Sequence, residues 1–167
     1  EPLSQLRFTT SLLAELKDRK IHTALDTSGF APWESLRKAA GLADLVLYDL
    51  KMVDPDKHAA YTGVANRTIL ENLRKLAATG KPIAVRIPLA ADVNDGPENI
   101  RRTIEFLKPL PAVRRVDILR YHQGGREKYK NLGQSDQFEI FAPPSPERME
   151  EIRRAFADAG FTVTIGG

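Results

Sequence analysis

Apolar residues run almost unbroken through Leu45-Val46-Leu47-Tyr48, and the pattern then gives way to Asp49-Leu50-Lys51. A short continuous apolar run suits a strand of a parallel sheet buried on both faces. Upstream, Leu3, Leu6, Leu12, Leu13 and Leu16 stand among polar positions and predict an amphipathic helix, closed by the cations of Lys17-Asp18-Arg19-Lys20. Ile21 to Asp26 reads as a short strand, with a turn at Gly29. Pro32 is expected at the first position of the next helix, with Trp33, Leu36 and Ala40 on its apolar face and Gly41 as its cap. Asp54 is placed as N-cap of a short helix, and Asn66 to Ala78 form a longer one ending at Gly80.

The same rhythm continues. Ile83 to Leu89 is an apolar strand carrying one charge, Arg86, and Asn94-Asp95-Gly96 signals a loop before a helix from Glu98 to Leu107. Val113 to Leu119 is the next strand and leads into Arg120-Tyr121-His122. Gln123 to Pro144 is polar and without period, Ser145-Pro146 opens a last helix, and Phe161 to Ile165 is a terminal strand. Strands alternating with helices predict βα units and a parallel sheet, and with no linker the 167 residues read as a single domain.

Composition narrows the class. Twenty-five Lys and Arg against 22 Asp and Glu give a net charge of +3. The local concentrations, Arg114-Arg115 and Arg126, Lys128 and Lys130, lack aromatic interleaving, so they read as solvated surface rather than a nucleic-acid interface. No apolar run approaches the ~20 residues that span a membrane, and a cytoplasmic setting is expected. The sequence contains no cysteine. Disulfides and thiolate metal ligands within this chain are thereby excluded.

Chemistry collects where the strands end. Asp26 and Thr27, then Asp49 and Lys51, then Arg86, then His122 follow in succession, and parallel strands bring their ends to one edge. Alternation puts Asp49 and Lys51 on one face. Each has a bland alternative: Asp at a strand end is often a turn former, Lys51 can snorkel, and Arg86 can be a structural ion-pair partner. His22 and His58 read as structural. There is no Gly-rich phosphate loop and no zinc spacing. From the residues alone, the edge is an enzyme-like site for a small charged molecule.

The runs IHTALDTSGFA (Ile21 to Ala31), DLVLYDLK (Asp44 to Lys51), HAAYTGVANRTILENL (His58 to Leu73), VRIPL (Val85 to Leu89) and ILRYHQGGREKYKNLG (Ile118 to Gly133) resemble the glycyl-radical enzyme activating enzymes, a radical S-adenosylmethionine family. The resemblance implies an α/β fold of partial (β/α)6 TIM-like barrel type, lacking its N-terminal strands in this chain, with the cofactor across the C-terminal edge. Lys51 and His122 match positions that bind S-adenosylmethionine, and Arg86 matches a strand residue lining that site. Asp26, Thr27 and Asp49 match positions that hold a monovalent cation, whose hardness suits oxygen ligands. Glu1-Pro2 matches the end of a Gly-Gly-Glu-Pro motif that meets the methionine amino group. The activity implied is cleavage of S-adenosylmethionine by a reduced [4Fe–4S] cluster to a 5′-deoxyadenosyl radical. That radical takes hydrogen from a glycine of a partner enzyme of the pyruvate formate-lyase type.

The departures shape the expectation. The family's three cluster cysteines are missing, so no catalytic residue is assigned here and the chain by itself is expected to be inert, as the C-terminal part of an activating enzyme. Arg120, Ser28 and Gly124 depart from the family's common Pro, Asn and Leu. An open strand edge beside Ile21 to Asp26 is expected to favour self-association. A non-catalytic barrel that docks the partner, or an unrelated barrel enzyme for a small anionic metabolite, are the alternative readings.

Overall fold

The computed structural model describes residues 1–122, 131 and 141–166. A 3-10 turn over Pro2–Gln5 leads into α1 (Leu6–Asp18), β1 (Ala24–Thr27), α2 (Trp33–Leu42), β2 (Leu45–Asp49), α3 (Pro55–Thr62) and α4 (Arg67–Ala78). There follow β3 (Ile83–Leu89), α5 (Pro97–Leu107), β4 (Val113–Arg120), α6 (Pro146–Asp158) and β5 (Thr162–Ile165). The expected loop from Gln123 to Pro144, with Gly124, Arg126, Lys128 and Lys130, lies outside the described residues except for residues 131 and 141–144.

The strands lie side by side in chain order, and every pairing is parallel. A parallel crossover has a strong right-handed preference. With every crossover stepping the same way along the sheet, that single hand sends the helices to one face. Val46, Tyr48, Val85, Ile87, Val116 and Ile118 are buried there, against Leu36 of α2, Leu73 and Leu76 of α4, Leu107 of α5 and Phe156 of α6. Each such side chain contributes about 1.5–3 kcal/mol on burial.

The other face stays open. Leu45, Leu47 and Asp49 are only half-buried while Val46 and Tyr48 are buried, which corrects the expectation of a strand covered on both sides. The apolar run concealed an alternation because Leu45 and Leu47 line the wet face.

Caps follow their local chemistry. Asp54 accepts from the N–H groups of Asp56 and Lys57 at the start of α3, and Ser145 Oγ accepts from Arg148 N–H at the start of α6. Pro32 is the N-cap of α2 rather than its first residue, and Gly41 lies inside that helix, which stops at Ala43 in extended backbone. The strand expected from Ile21 begins at Ala24, because its pairing with β2 starts at Ala24 opposite Leu45.

Among the described residues no helix is long and apolar enough to cross a membrane. β1 is a sheet edge, and beside it runs a groove of about 590 Å³ whose lining includes Phe8, Leu12, Leu16, Ala24 and Leu25. Phe8 is 65% and Leu12 45% exposed. An unpaired edge next to apolar surface templates association. We expect this chain to self-associate as its concentration rises, and Phe8→Lys with Leu12→Lys to weaken that association. Sedimentation or light scattering checks it, and a monomer at every concentration contradicts it.

Candidate functional site

The open face carries the charges. Register places Asp26 beside Leu47, and Asp49 beside Arg86, so Asp26, Asp49 and Arg86 come from three adjacent strands onto one side of the sheet. Arg86 lies inside β3, whose bounds are those expected, near the strand's end but not at it. β3 runs three residues past it, to Leu89, while β2 stops at Asp49. Lys51 lies just beyond β2 and keeps the side that alternation gives it, with Nζ 4.0 Å from Asp49 Oδ2.

Arg86 joins the two carboxylates. Its Nη1 donates to Asp26 Oδ2 at 2.5 Å, and its Nε lies 3.5 Å from Asp49 Oδ1. The second contact is within ion-pair range but lacks hydrogen-bond geometry, so Asp49 Oδ1 and Arg86 Nε are buried without a hydrogen-bond partner. Burial pushes the Asp49 carboxyl above its ordinary value. The charges of Lys51 and Arg86 oppose that rise, whereas those of Asp26 and Glu1 add to it.

Glu1 and Thr27 form a second group next door. Thr27 is buried and alternates away from Asp26, its strand neighbour. The Thr27 hydroxyl donates to Glu1 Oε1 at 2.7 Å and accepts from Gly29 N–H at 3.0 Å, and Ser28 gives Glu1 Oε2 both its N–H and its hydroxyl. Burial raises the Glu1 pKa, but the hydrogen bonds from Ser28, Thr27 and the Leu3 backbone outweigh it and leave the group below its ordinary value. The structure therefore gathers Asp26, Asp49, Lys51 and Arg86, and holds Thr27 with Glu1 beside them. His122 follows β4 by two residues, at the same edge, where Tyr121 N–H donates to the carbonyl of Leu89. Among the described residues no three His, Asp or Glu side chains stand together as a metal site. His58 is buried with Nδ1 2.7 Å from the Val64 carbonyl, a structural placement.

Sequence reasoning missed the buried asparagines that brace the loops. Asn94 donates to the carbonyls of Lys51 and Pro88, each at 2.8 Å, and accepts from Ala90 N–H. Asn66 donates to Met52 O, and Asn72 to the carbonyls of Gly29 and Ala31. An Asn on the apolar side of a helix pattern, as Asn72 is in α4, was the available signal. Gly29 is required twice over: its φ is +70°, and a Cβ there would sit 1.8 Å from the Tyr48 hydroxyl oxygen.

No protein-family model matches the chain. Curated relatives do. The trans-4-hydroxy-L-proline dehydratase activating enzyme of Clostridioides difficile is 41% identical over 162 residues, covering 96% of this chain and 53% of that protein. The pyruvate formate-lyase-activating enzyme of Staphylococcus epidermidis is 37% identical, covering 92% of this chain and 64% of that one. Among solved structures, a domain of pyruvate-formate lyase-activating enzyme from Bacteroides vulgatus superposes with a TM-score of 0.84 at 31% identity, over 100% of this chain and 94% of that one. The chain belongs to the glycyl-radical enzyme activating enzyme family. It spans about half to two thirds of the length of the two curated relatives named. Family membership and the sequential parallel sheet together make the fold the radical S-adenosylmethionine partial barrel, as the motifs implied.

The two perturbed carboxylates of this site, Glu1 and Asp49, give opposite pH dependences. Glu1 lies below its ordinary 4.5, so it contributes stability above that pH and loses the contribution as pH falls through its lowered folded value. Asp49 lies above its ordinary 3.8, so its ionised form penalises the fold at neutral pH, and the penalty fades as pH falls through its raised value. Urea titrations at pH 7 and in acid should show the deficit of Glu1→Gln shrinking in acid. They should also show any advantage of Asp49→Asn over the parent greatest at pH 7. Curves parallel to the parent at both pH values would contradict the assignments.

Proposed function

We propose that this chain is the S-adenosylmethionine-binding part of an activating enzyme that places a radical on a glycine of a partner glycyl-radical enzyme, of the kind that pyruvate formate-lyase represents. The observation that carries the reading is the loose Asp49–Arg86 contact, in which two half-buried side chains leave the buried atoms Asp49 Oδ1 and Arg86 Nε 3.5 Å apart without a hydrogen bond. Such atoms are costly to leave unmade. An amino-acid zwitterion re-pairs both groups, with its carboxylate on Arg86 and Lys51 and its ammonium on Asp49 rather than at Glu1-Pro2, where the resemblance implied it, because the Glu1 carboxylate is taken by Thr27 and Ser28.

The donor set fits the cofactor. Asp26 and Asp49 offer carboxylate oxygens to a cation, either the ligand's own charge or a monovalent ion, while the Thr27 hydroxyl is already committed to Glu1. Lys51 supplies a second positive charge at the rim, and His122 stands at the same edge for the remainder of the ligand. Glu1 fixes the loop after β1 through Thr27 and Ser28, which keeps Asp26 in register. Bound S-adenosylmethionine supplies the hydrogen-abstracting chemistry, and these residues bind and orient it. The [4Fe–4S] cluster does not fit the residues present, since the sequence has no cysteine to hold it.

Titration calorimetry with S-adenosylmethionine tests the reading. Lys51→Ala and Arg86→Ala should each weaken binding by about tenfold or more, the scale of losing a charged hydrogen bond. Affinity unchanged in both variants contradicts the site. Anaerobic reconstitution with iron and sulfide should give this chain no cluster spectrum and no 5′-deoxyadenosine. A stoichiometric cluster signal on it would contradict the assignment of the chain as lacking the redox centre.

A further inference from the structure

Arg86 has a carboxylate on the neighbouring strand to each side of it and turns only toward β2. Register sets it opposite Asp49 on β2 and opposite Asp117 on β4, one strand spacing of about 4.8 Å away in each direction. Its guanidinium reaches Asp49 and Asp26, and among the described residues no ion pair joins it to Asp117. Asp117 is taken from elsewhere. Arg115 Nε donates to its Oδ1 at 2.7 Å and Thr164 Oγ1 donates to the same oxygen at 2.6 Å. At 2% exposure Asp117 is the most deeply buried carboxylate among the described residues, so its oxygens need hydrogen-bond partners.

An irregularity in the sheet puts this group where it is. Ile83 stands opposite Val113, but Ala84 stands opposite Arg115, which leaves Arg114 as an extra residue in β4. The extra residue reverses the alternation. Val113 is buried on the helix side with Ile83, while Arg115 and Asp117 share the open side with Ala84 and Arg86. Without the bulge, period two would carry both charges under the helices or Val113 into the open. Bulges recur beside active sites, where they re-aim a side chain. Ala84, directly below Arg86, is small and leaves Arg115 room to rise toward Asp117.

We propose that Arg115 and Thr164 are positioning residues which, by occupying the Asp117 carboxylate, leave Arg86 turned toward Asp26 and Asp49. The consequence for cofactor binding rests on the S-adenosylmethionine reading above, but the choice made by Arg86 does not. Remove the Arg115 guanidinium, and Asp117 keeps one neutral hydroxyl. Arg86, the next cation along the row, is then drawn across to β4, and Asp26 and Asp49 are left facing Lys51 alone.

The test uses the ligand-free chain. The Arg86 Nε–H resonance, assigned by its loss in Arg86→Lys, is followed by ¹⁵N NMR in Arg115→Gln, Thr164→Val and Arg115→Gln/Asp117→Asn. We expect it to move in Arg115→Gln, to move less in the same direction in Thr164→Val, and to return to the parental position in the double variant. A purely structural role gives no such return. If Arg115→Gln fails to fold, Thr164→Val and its combination with Asp117→Asn decide the matter in the same way. A resonance unmoved by loss of the Asp117 partners, or displaced equally with Asp117→Asn present, overturns the proposal. S-adenosylmethionine affinity should fall about tenfold in Arg115→Gln and recover in the double variant. Failure of the parent to bind at all would refute the cofactor reading, while the Arg86 resonance would still decide this one.

Discussion

A parallel sheet whose strands follow chain order, with every crossover of one hand, can be covered by its own helices on one face only. The rest of the molecule follows from that constraint. The covered face is filled by Val46, Tyr48, Val85, Ile87, Val116 and Ile118 and supplies the core. The uncovered face cannot be apolar throughout, and residues of opposite charge occupy it at the period of the pleat. Crowded onto one half-shielded surface, these charges settle each other's orientation. Arg86 between Asp26 and Asp49 is the point where three strands meet electrically.

The arrangement is under-satisfied at its centre and over-braced around it. Asp49 Oδ1 and Arg86 Nε lack hydrogen bonds, whereas the loops that end the strands are held by buried amides. Asn94 spends its two donors and its acceptor on Lys51, Pro88 and Ala90. Asn72 and the Tyr48 hydroxyl close over the Gly29 turn from beneath. Rigid surroundings with a loosely paired acid and base in the middle suit capture of a zwitterion, because the ligand re-pairs groups that are already held near one another.

Much of this was legible in the sequence. The helix–strand rhythm, the Asp54 and Ser145 caps, and the family motifs through Asp26, Asp49, Lys51 and Arg86 all carry local or motif-level signals that survive into the fold. What was not legible depends on neighbouring strands. Leu45 and Leu47 look like core residues, and only the one-sided covering shows that they line the wet face. Arg114-Arg115 looks like a solvated pair, and both are exposed; what no local signal shows is the shift of register against β3 that separates the two and sets Arg115 against Asp117. Gly41 looked like a stop signal, but α2 continues through Leu42, and Ala43 is the residue that leaves helical backbone.

The central claim is that the charged open face receives the methionyl part of S-adenosylmethionine at the C-terminal edge of the sheet. A crystal structure of the chain grown with S-adenosylmethionine tests it most directly. The account predicts the ligand's ammonium against Asp49 and its carboxylate against Arg86 and Lys51, with the Arg86–Asp49 contact opened. Ligand density elsewhere, with Arg86 still lodged between Asp26 and Asp49, would contradict it.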